Sequence, residues 1–398
     1  MLRAFDLIRK ATLGCGLALA MFGTAYAGKV NVLYPFKGGN DGAEPISGVI
    51  SDSQGNLYGT TWEGGGGGCG GQGCGTIFKV APDGTETVLY AFKGFMRGTL
   101  APLGLVRDEA GNLYGATQVG GSHNCQYGCG TVFRLALDGT MTVLHTFKGG
   151  SDGEMPEANL LLDNRGNLYG TTLEGGAHSR GTVFRIAPNG TESVLYAFCA
   201  QTNCTDGESP QSALIADKEG NLYGTTIMGG NSAGGTVFRL APDGTETVLY
   251  SFCQVQPDCE DGIWPYAGVT IDKAGNLYGT TEYGGASEDG SLGTVFRLAP
   301  DGTETVLHSF SLQTDGAYPV SGVIVDQAGD IYGTLTFTGV CKKRLGSVYR
   351  LSPDGSEKLY CVPSINDPGV IERSGTLYGA GPGGGKYDEG FVFAIKKD

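Results

Sequence analysis

One stretch near the middle of the chain decides the fold. It consists of Gly-Asn-Leu-Tyr-Gly-Thr-Thr at 220–226, Gly-Thr-Val-Phe-Arg-Leu at 235–240 and Pro-Asp-Gly-Thr-Glu-Thr-Val-Leu-Tyr at 242–250. The apolar segments are rich in Val, Leu, Tyr, Phe and Thr and are too short for helices, so they predict β-strands. The Pro-Asp-Gly between the last two segments is typical of a tight hairpin turn, because Gly tolerates positive φ and the Asp side chain can cap the turn.

The same pattern recurs along the whole chain. A Leu/Ile-Tyr-Gly core occurs seven times, with its tyrosine at positions 58, 114, 169, 223, 278, 332 and 378. Each unit has four short apolar segments, named a to d here, which in the third unit are 159–163, 167–172, 181–187 and 191–198. The d segments are apolar at successive positions, as expected when neighbouring sheets cover both faces. Seven units of four antiparallel strands predict an all-β, seven-bladed β-propeller; a β-solenoid is the alternative, but one of its rungs needs far fewer residues.

The two ends of the repeat array predict how the ring closes. A lone d segment occupies 30–36, and the chain ends with a c segment at 390–395 that no d segment follows. The N-terminal strand is therefore expected to complete the last blade, which removes two exposed sheet edges. No linker interrupts the array, so residues 28–398 are expected to form one domain.

The first 27 residues predict a signal peptide. Arg3, Arg9 and Lys10 precede an apolar run at 11–22, and Ala25-Tyr26-Ala27 is a small-x-small cleavage pattern. The run is too short for a membrane-spanning helix, and no second candidate follows it. The formal net charge of −14 disfavours nucleic acid and anionic membranes as partners. We therefore expect a secreted or periplasmic protein, monomeric and without a membrane span.

The motifs at 220–226, 235–240 and 242–250 resemble the GloVer tandem-repeat family of exported bacterial proteins, and the likeness covers essentially the whole mature chain. The a and b segments also resemble, more weakly, the NHL and gluconolactonase type of propeller. The family is named for its repeat rather than for an activity. The resemblance thus implies an exported propeller and leaves its ligand open.

The strand directions sort the loops onto two faces. The a–b and c–d turns are minimal hairpins on the bottom face, whereas the longer b–c and d–a loops lie on the top face, where binding residues of rigid scaffolds usually occur. Five d–a loops share Asp-Gly-x-x-Pro, and a single Asp per blade favours a turn over a Ca²⁺ site. The candidate ligand-binding residues on the top face are Trp62, Glu63, Glu174, Trp264, Tyr266, Tyr283 and Tyr318. Aromatic rings on a rigid rim suit sugar faces or a partner protein, although the same rings could instead pack against neighbouring loops.

A catalytic function needs convergent acid, base or metal groups. His145 and His308 take the tyrosine position of the Val-Leu-Tyr motif and are interpreted as framework substitutions. The remaining catalytic candidates are His123 and His178, in b–c loops of adjacent blades, and Glu157 at the start of an inner strand. No metal-ligand set accompanies these residues in the sequence, so neither a metal nor a cofactor is expected.

The mature chain contains ten cysteines, all on the top side. An even number of cysteines in an exported protein favours disulfides over zinc, although the Cys-x3-Cys and Cys-x4-Cys spacings would also suit a metal. The predicted pairs are Cys69 with Cys74, Cys125 with Cys129, Cys199 with Cys204, Cys253 with Cys259, and Cys341 with Cys361.

Three functions remain in competition. The first is a non-catalytic binding or scaffold protein that uses its top-face loops on an extracellular glycan, peptide or protein. The second is a lyase or lactone hydrolase with its site at the top of the axial channel. The third is a structural component of the cell envelope or matrix.

Overall fold

The computed structural model of the protein describes residues 25–26, 29–94, 102–255, 258–287, 290, 292–338, 340–341, 346–365 and 369–397. The predicted signal peptide lies outside the described residues except for 25–26. The described strands form seven sheets, one per blade, in each of which four antiparallel strands a to d follow one another from the inner to the outer edge. In blades 1 to 6 these four strands are consecutive in the chain.

Strands a and b form the inner half of each blade. The a strands, in blade order, are Ile50–Ser51, Pro102–Arg107, Leu161–Leu162, Ile215–Ala216, Thr270–Ile271, Ile324–Val325 and Ile371–Arg373. The b strands are Leu57–Thr61, Leu113–Thr117, Leu168–Glu174, Leu222–Thr226, Leu277–Thr281, Ile331–Leu335 and Thr376–Gly381.

Strands c and d form the outer half. The c strands are Thr76–Val80, Thr131–Leu135, Thr182–Ile186, Thr236–Leu240, Thr294–Leu298, Gly346–Leu351 and Phe391–Lys396. The d strands of blades 1 to 6 are Glu86–Ala91, Met141–Thr146, Glu192–Ala197, Glu246–Ser251, Glu304–Ser309 and Glu357–Val362, and the d strand of blade 7 is Asn31–Pro35.

A few short elements lie outside this pattern. Glu154–Pro156 pairs with the end of strand b in blade 3, and Ala25–Tyr26 pairs in parallel with strand d of blade 6. Single 3₁₀ turns occupy Gly39–Asp41, Cys69–Gly71, Gly150–Asp152 and Thr202–Cys204. None of the helices in the described part of the chain has the length and apolarity that a membrane crossing requires.

The N-terminal strand closes the ring. Asn31–Pro35 pairs antiparallel with strand c of blade 7, Phe391–Lys396. Seven buried apolar clusters lie between neighbouring blades. The cluster between blades 7 and 1 contains Phe36, Phe78 and Val392. The predicted seven-bladed propeller, with its last blade completed by the N-terminal strand, is confirmed.

The glycine of the recurrent Leu-Tyr-Gly is required by space rather than by its φ angle. A Cβ atom on Gly279 would lie 2.6 Å from Cζ of Phe296, its cross-strand partner on strand c. The Phe296 ring in turn packs edge-to-face on Phe252 of the preceding blade, with centroids 5.0 Å apart. The glycine therefore leaves room for the aromatic ring that joins one blade to the next.

The tyrosine of the same motif locks the a–b turn. In blade 4, Tyr223 Oη donates a hydrogen bond to Asp217 Oδ2 at 2.9 Å. The backbone and side-chain N–H groups of Asn221 donate to the two oxygens of the same carboxylate. Gly220 of this turn lies beside Pro242 of the c–d turn, with 3.5 Å between the position of a Cβ atom and the proline Cγ. On the bottom face of this blade, the short a–b and c–d turns therefore pack against each other.

Candidate functional site

The d–a connections and b–c loops meet on the top face, as the strand directions predict. Backbone bridges join Ala43 to Glu63, Ile263 to Tyr283 and Ala317 to Phe337, and each bridge links a d–a connection to the residues just after strand b. These two loops of a blade thus form one connected surface.

The residue before the proline of Asp-Gly-x-x-Pro has a backbone that is fixed while its side chain varies. In blade 5, Trp264 N donates to Gly234 O of the preceding blade, and Trp264 O accepts from Glu282 N. Tyr318 of blade 6 is held in the same way between Leu292 O and Thr336 N. All five equivalents have left-handed φ angles, 54° at Glu44, 58° at Met155, 57° at Ser209, 61° at Trp264 and 61° at Tyr318. Non-glycine residues rarely adopt this conformation, and it occurs mainly where the surrounding structure imposes it.

Three of the predicted ligand-binding aromatics form one row across blades 5 and 6. The Trp264 and Tyr283 rings are perpendicular with centroids 5.3 Å apart, and the Tyr283 and Tyr318 rings are tilted with centroids 5.2 Å apart. Tyr318 also packs on the apolar cluster between these blades, which anchors that end of the row. Tyr266, two residues after Trp264, is 37% exposed. The structure therefore unites Trp264, Tyr283 and Tyr318, which we call the aromatic row.

Sequence analysis missed exposed aromatics on this face, among them Tyr127, Phe337 and Tyr387. Phe337 is 43% exposed and bridges to Ala317 just as Tyr283 bridges to Ile263. It follows Tyr332 by the same interval that separates Tyr283 from Tyr278. Aligning the repeats on their tyrosines would have identified this position.

The other side of the top face is acidic. Burial, with the nearby charges of Glu63 and Glu389, raises the pKa of the Glu44 carboxyl. Glu63 and Glu389 also line a cavity of about 360 Å³ where blades 7 and 1 meet. In blade 3, burial and the charge of the exposed Glu174 likewise raise the pKa of Glu154, its cross-strand partner.

Trp62 is half-buried on blade 1, and among the described residues no ring contact joins it to the aromatic row.

The chemistry next to the aromatic row is different. Burial raises the pKa of Glu282, while a hydrogen bond from Tyr283 opposes that rise. The pKa of the Tyr283 phenol is also raised, by desolvation and by the charge of Glu282. The row thus offers aromatic faces and two tyrosine hydroxyls beside the partly buried carboxyl of Glu282.

All five predicted disulfides are present. Two close b–c loops, two close d–a loops, and Cys341–Cys361 joins the b–c loop of blade 6 to its strand d. The Cys253–Cys259 bridge lies in the connection that leads to Trp264. Cross-links of this kind stiffen the loops and so lower the conformational entropy lost when a ligand binds.

The structure does not assemble the catalytic candidates into a site. His123 and His178 are both exposed, and neither forms a hydrogen bond or ion pair within the described part of the chain. Glu157 accepts a hydrogen bond from Gln118 Nε2 at 2.5 Å. The histidines interpreted as framework substitutions, His145 and His308, are instead the ones with carboxylate neighbours. Those neighbours come from the following connection and the following blade, which sequence spacing alone does not reveal.

Neighbouring blades are in close contact where the inner strands begin. A Cβ atom on Gly48 would lie 3.3 Å from Gly369 O, and one on Gly268 would lie 2.4 Å from Ala213 O. Ser212 and Ser321, also near the axis, are buried. Thr171 and Thr280 hydroxyls donate to the carbonyls of these two serines across the blade interfaces. Neighbouring inner strands are therefore packed directly against one another where they begin.

Fold and loops together define a disulfide-bonded β-propeller with a row of aromatic side chains on its top face. The model of the Gloeobacter/Verrucomicrobia repeat matches residues 20–204, 68–290, 122–335 and 259–398, and the chain belongs to this family. The resemblance inferred from the repeat motifs is thereby confirmed. None of the curated proteins compared with the sequence matches it.

Solved structures show the same fold at low sequence identity. The extracellular domain of a one-component system from B. thetaiotaomicron is 11% identical with a TM-score of 0.52, over 94% of this chain and 40% of that one. PorZ, an essential bacterial surface component of the type-IX secretion system of Porphyromonas gingivalis, is 15% identical with a TM-score of 0.53, over 91% and 47%. The chain therefore spans less than half the length of these two proteins. A structure assigned to a gluconolactonase is 17% identical with a TM-score of 0.42, over 76% and 90%, and nothing about activity follows from it.

Proposed function

We propose that this protein is an exported, non-catalytic binding protein that engages an extracellular glycan, peptide or protein through the aromatic row. The observation that carries the proposal is the placement of Trp264, Tyr283 and Tyr318. Two of the three occupy positions whose backbone is fixed in every blade that has the motif, while their side chains change from blade to blade. Variation at a rigidly held surface position is what a recognition surface requires.

The chemistry of the row favours a ligand with flat apolar faces. Two successive centroid distances of 5.3 and 5.2 Å make the row three rings long. Aromatic side chains contribute large contact area with little loss of conformational entropy, which suits sugar rings or apolar and aromatic side chains of a peptide. The acidic side around Glu44, Glu63 and Glu389 disfavours strongly anionic ligands by like-charge repulsion.

Export is supported by the cysteines and by the kind of proteins that share the fold. Five disulfides persist in oxidising compartments and are rare in the cytosol. Two propellers similar to this chain are an extracellular domain and a bacterial surface component. We infer that the mature protein acts outside the cytoplasm after removal of residues 1–27.

A glycan array and a peptide library, each probed with the mature disulfide-bonded protein in EDTA, test the proposal. A bound ligand should lose at least about tenfold in affinity on Trp264→Ala or Tyr318→Ala, since buried aromatic anchors at the centre of an interface contribute about 2 kcal/mol or more. Circular dichroism and the thermal midpoint of the variants should report an intact fold.

Matched controls come from the other blades. Met155→Ala changes the equivalent position of blade 3, with the same left-handed backbone, and should leave affinity unchanged. Asp243→Asn changes a c–d turn on the bottom face and should also leave it unchanged. Loss of binding in these two variants, with Trp264→Ala silent, would place the ligand elsewhere and refute the proposal.

A further inference from the structure

The blade interfaces carry a recurring three-residue cluster that the function proposed above does not use. Each consists of a residue near the end of strand d, the Asp of the following connection, and the first Glu of strand d in the next blade. We call these clusters interblade triads; they are Tyr34/Asp41/Glu86, His145/Asp152/Glu192, Tyr196/Asp206/Glu246, Tyr250/Asp261/Glu304 and His308/Asp315/Glu357.

Backbone N–H groups hold the aspartate of each triad in place without a ligand. In the last triad, Asp315 Oδ1 accepts hydrogen bonds from Ser311 N at 2.6 Å and Gly316 N at 2.9 Å. Its Oδ2 atom is thereby directed to His308 Nε2, 2.5 Å away. In the second triad, Asp152 Oδ2 accepts from Lys148 N at 2.7 Å, and Oδ1 lies 3.3 Å from His145 Nε2.

The triads fall into two chemical types. In three of them a tyrosine hydroxyl donates to the aspartate, at 2.8 Å for Tyr196 and 2.9 Å for Tyr250, so the phenol keeps its proton and offers no free lone pair toward the carboxylates. In the other two an imidazole takes its place, and the ring is oriented by edge-to-face packing on Phe147 or Phe310 with centroids 4.8 Å apart. The imidazole Nε2 faces the aspartate, to which it donates a hydrogen bond in the last triad, and a metal ion can replace this proton more readily than that of a tyrosine hydroxyl.

In all five triads one oxygen of the glutamate is buried and makes no hydrogen bond in the described structure. In the second triad His145 Nε2 makes none either. In each histidine triad the nitrogen and one oxygen of each carboxylate lie within 4.8 Å of one another. Two carboxylates and one imidazole this close together form a ligand set that a divalent cation would satisfy.

We propose that His145/Asp152/Glu192 and His308/Asp315/Glu357 each bind a divalent transition metal ion of the Zn²⁺ type, through Nε2 and one oxygen of each carboxylate. Zinc accepts three protein ligands of this kind with a water in the fourth position. Calcium is disfavoured because it prefers six to eight oxygen ligands. Each ion would join two neighbouring blades, 2 to 3 and 5 to 6, because the histidine belongs to one blade and the glutamate to the next.

The test uses the mature, disulfide-bonded protein without a polyhistidine tag, stripped with EDTA and dialysed. Isothermal titration and equilibrium dialysis at neutral pH should show two bound Zn²⁺ per chain at micromolar free metal, and a rise in the thermal midpoint with Zn²⁺ but not with Ca²⁺. His145→Tyr and His308→Tyr should each remove one equivalent, and the double variant should remove both.

These substitutions keep the test free of folding failure, since the chain already uses tyrosine at this position in three triads. A reverse variant, Tyr250→His, should add a third equivalent beside Asp261 and Glu304. The exposed His178→Ala is the control and should still bind two. Undiminished Zn²⁺ binding by the double His→Tyr variant, or no binding by wild-type protein at millimolar metal, would overturn the proposal.

Discussion

Ring closure by the N-terminal strand makes a quantitative prediction about one side chain. Phe36 directly follows the closing strand, is fully buried, and packs edge-to-face on Phe78 of blade 1 with centroids 5.0 Å apart. Phe252 makes the same contact with Phe296 inside the array, also at 5.0 Å and also fully buried. If the ring is closed in solution, the two phenylalanines have equivalent environments although one lies near the chain terminus.

Truncation of either residue should therefore have the same cost. Phe36→Ala and Phe252→Ala each remove a buried ring from an interblade core, which lowers the free energy of unfolding by about 3–5 kcal/mol. Urea denaturation of the disulfide-intact mature protein, followed by far-ultraviolet circular dichroism, measures this loss as a shift in the midpoint at unchanged slope.

The comparison between the two variants tests whether the N-terminal strand closes the ring in solution. A Phe36→Ala protein within about 0.5 kcal/mol of wild type, as for a surface substitution, together with a normal loss for Phe252→Ala, would mean that the N-terminal strand does not complete the ring. Small losses in both variants would instead refute the packing argument itself.

Three further predictions concern the framework. Gly279→Ala should destabilise by about 1–3 kcal/mol because its Cβ would collide with Phe296, whereas Gly67→Ala, with open space around the new atom, should be neutral in thermal melts. Burial and the charge of Asp206 raise the pKa of Glu246 from 4.5 to about 7, so the folded chain holds this proton more tightly than the unfolded chain and stability falls as the pH rises through that interval. Glu246→Gln should therefore match wild type near pH 4.5 and exceed it by about 1–2 kcal/mol near pH 8, after allowance for solvent screening, while the exposed Glu219→Gln changes neither value. Peptide mapping without reductant should recover the five cysteine pairs, and free thiols at Cys69 and Cys74 would contradict the structure.

The sequence predicted most of the framework because each blade repeats the same local solution. Hairpin turns such as Pro242-Asp243-Gly244 need particular residue types at particular positions, so they are visible in one dimension. The unmatched d and c segments at the two ends indicated closure, and the even number of cysteines indicated the bridges. These features depend on residues that are close in the chain or on edges that must be paired.

Other features depend on contacts between blades, and only the tertiary structure decided them. Trp264, Tyr283 and Tyr318 were predicted individually, but their union into one row follows from the packing of blade 5 against blade 6. The sequence shows that Phe337 takes the position of Tyr283 in the next unit, but only the structure shows that its side chain is exposed.

The histidines show most clearly which features the sequence reveals and which only the fold reveals. From the sequence, His145 and His308 are substitutions at a tyrosine position, and nothing nearby in the chain indicates a ligand set. In the fold, a glutamate some 50 residues further along arrives beside each imidazole because the next blade places its outer strand there. The repeat by itself determined the blades and their turns. Side chains that meet across a blade interface are brought together by the packing of neighbouring blades, and their separation in the chain carries no information about their distance in space.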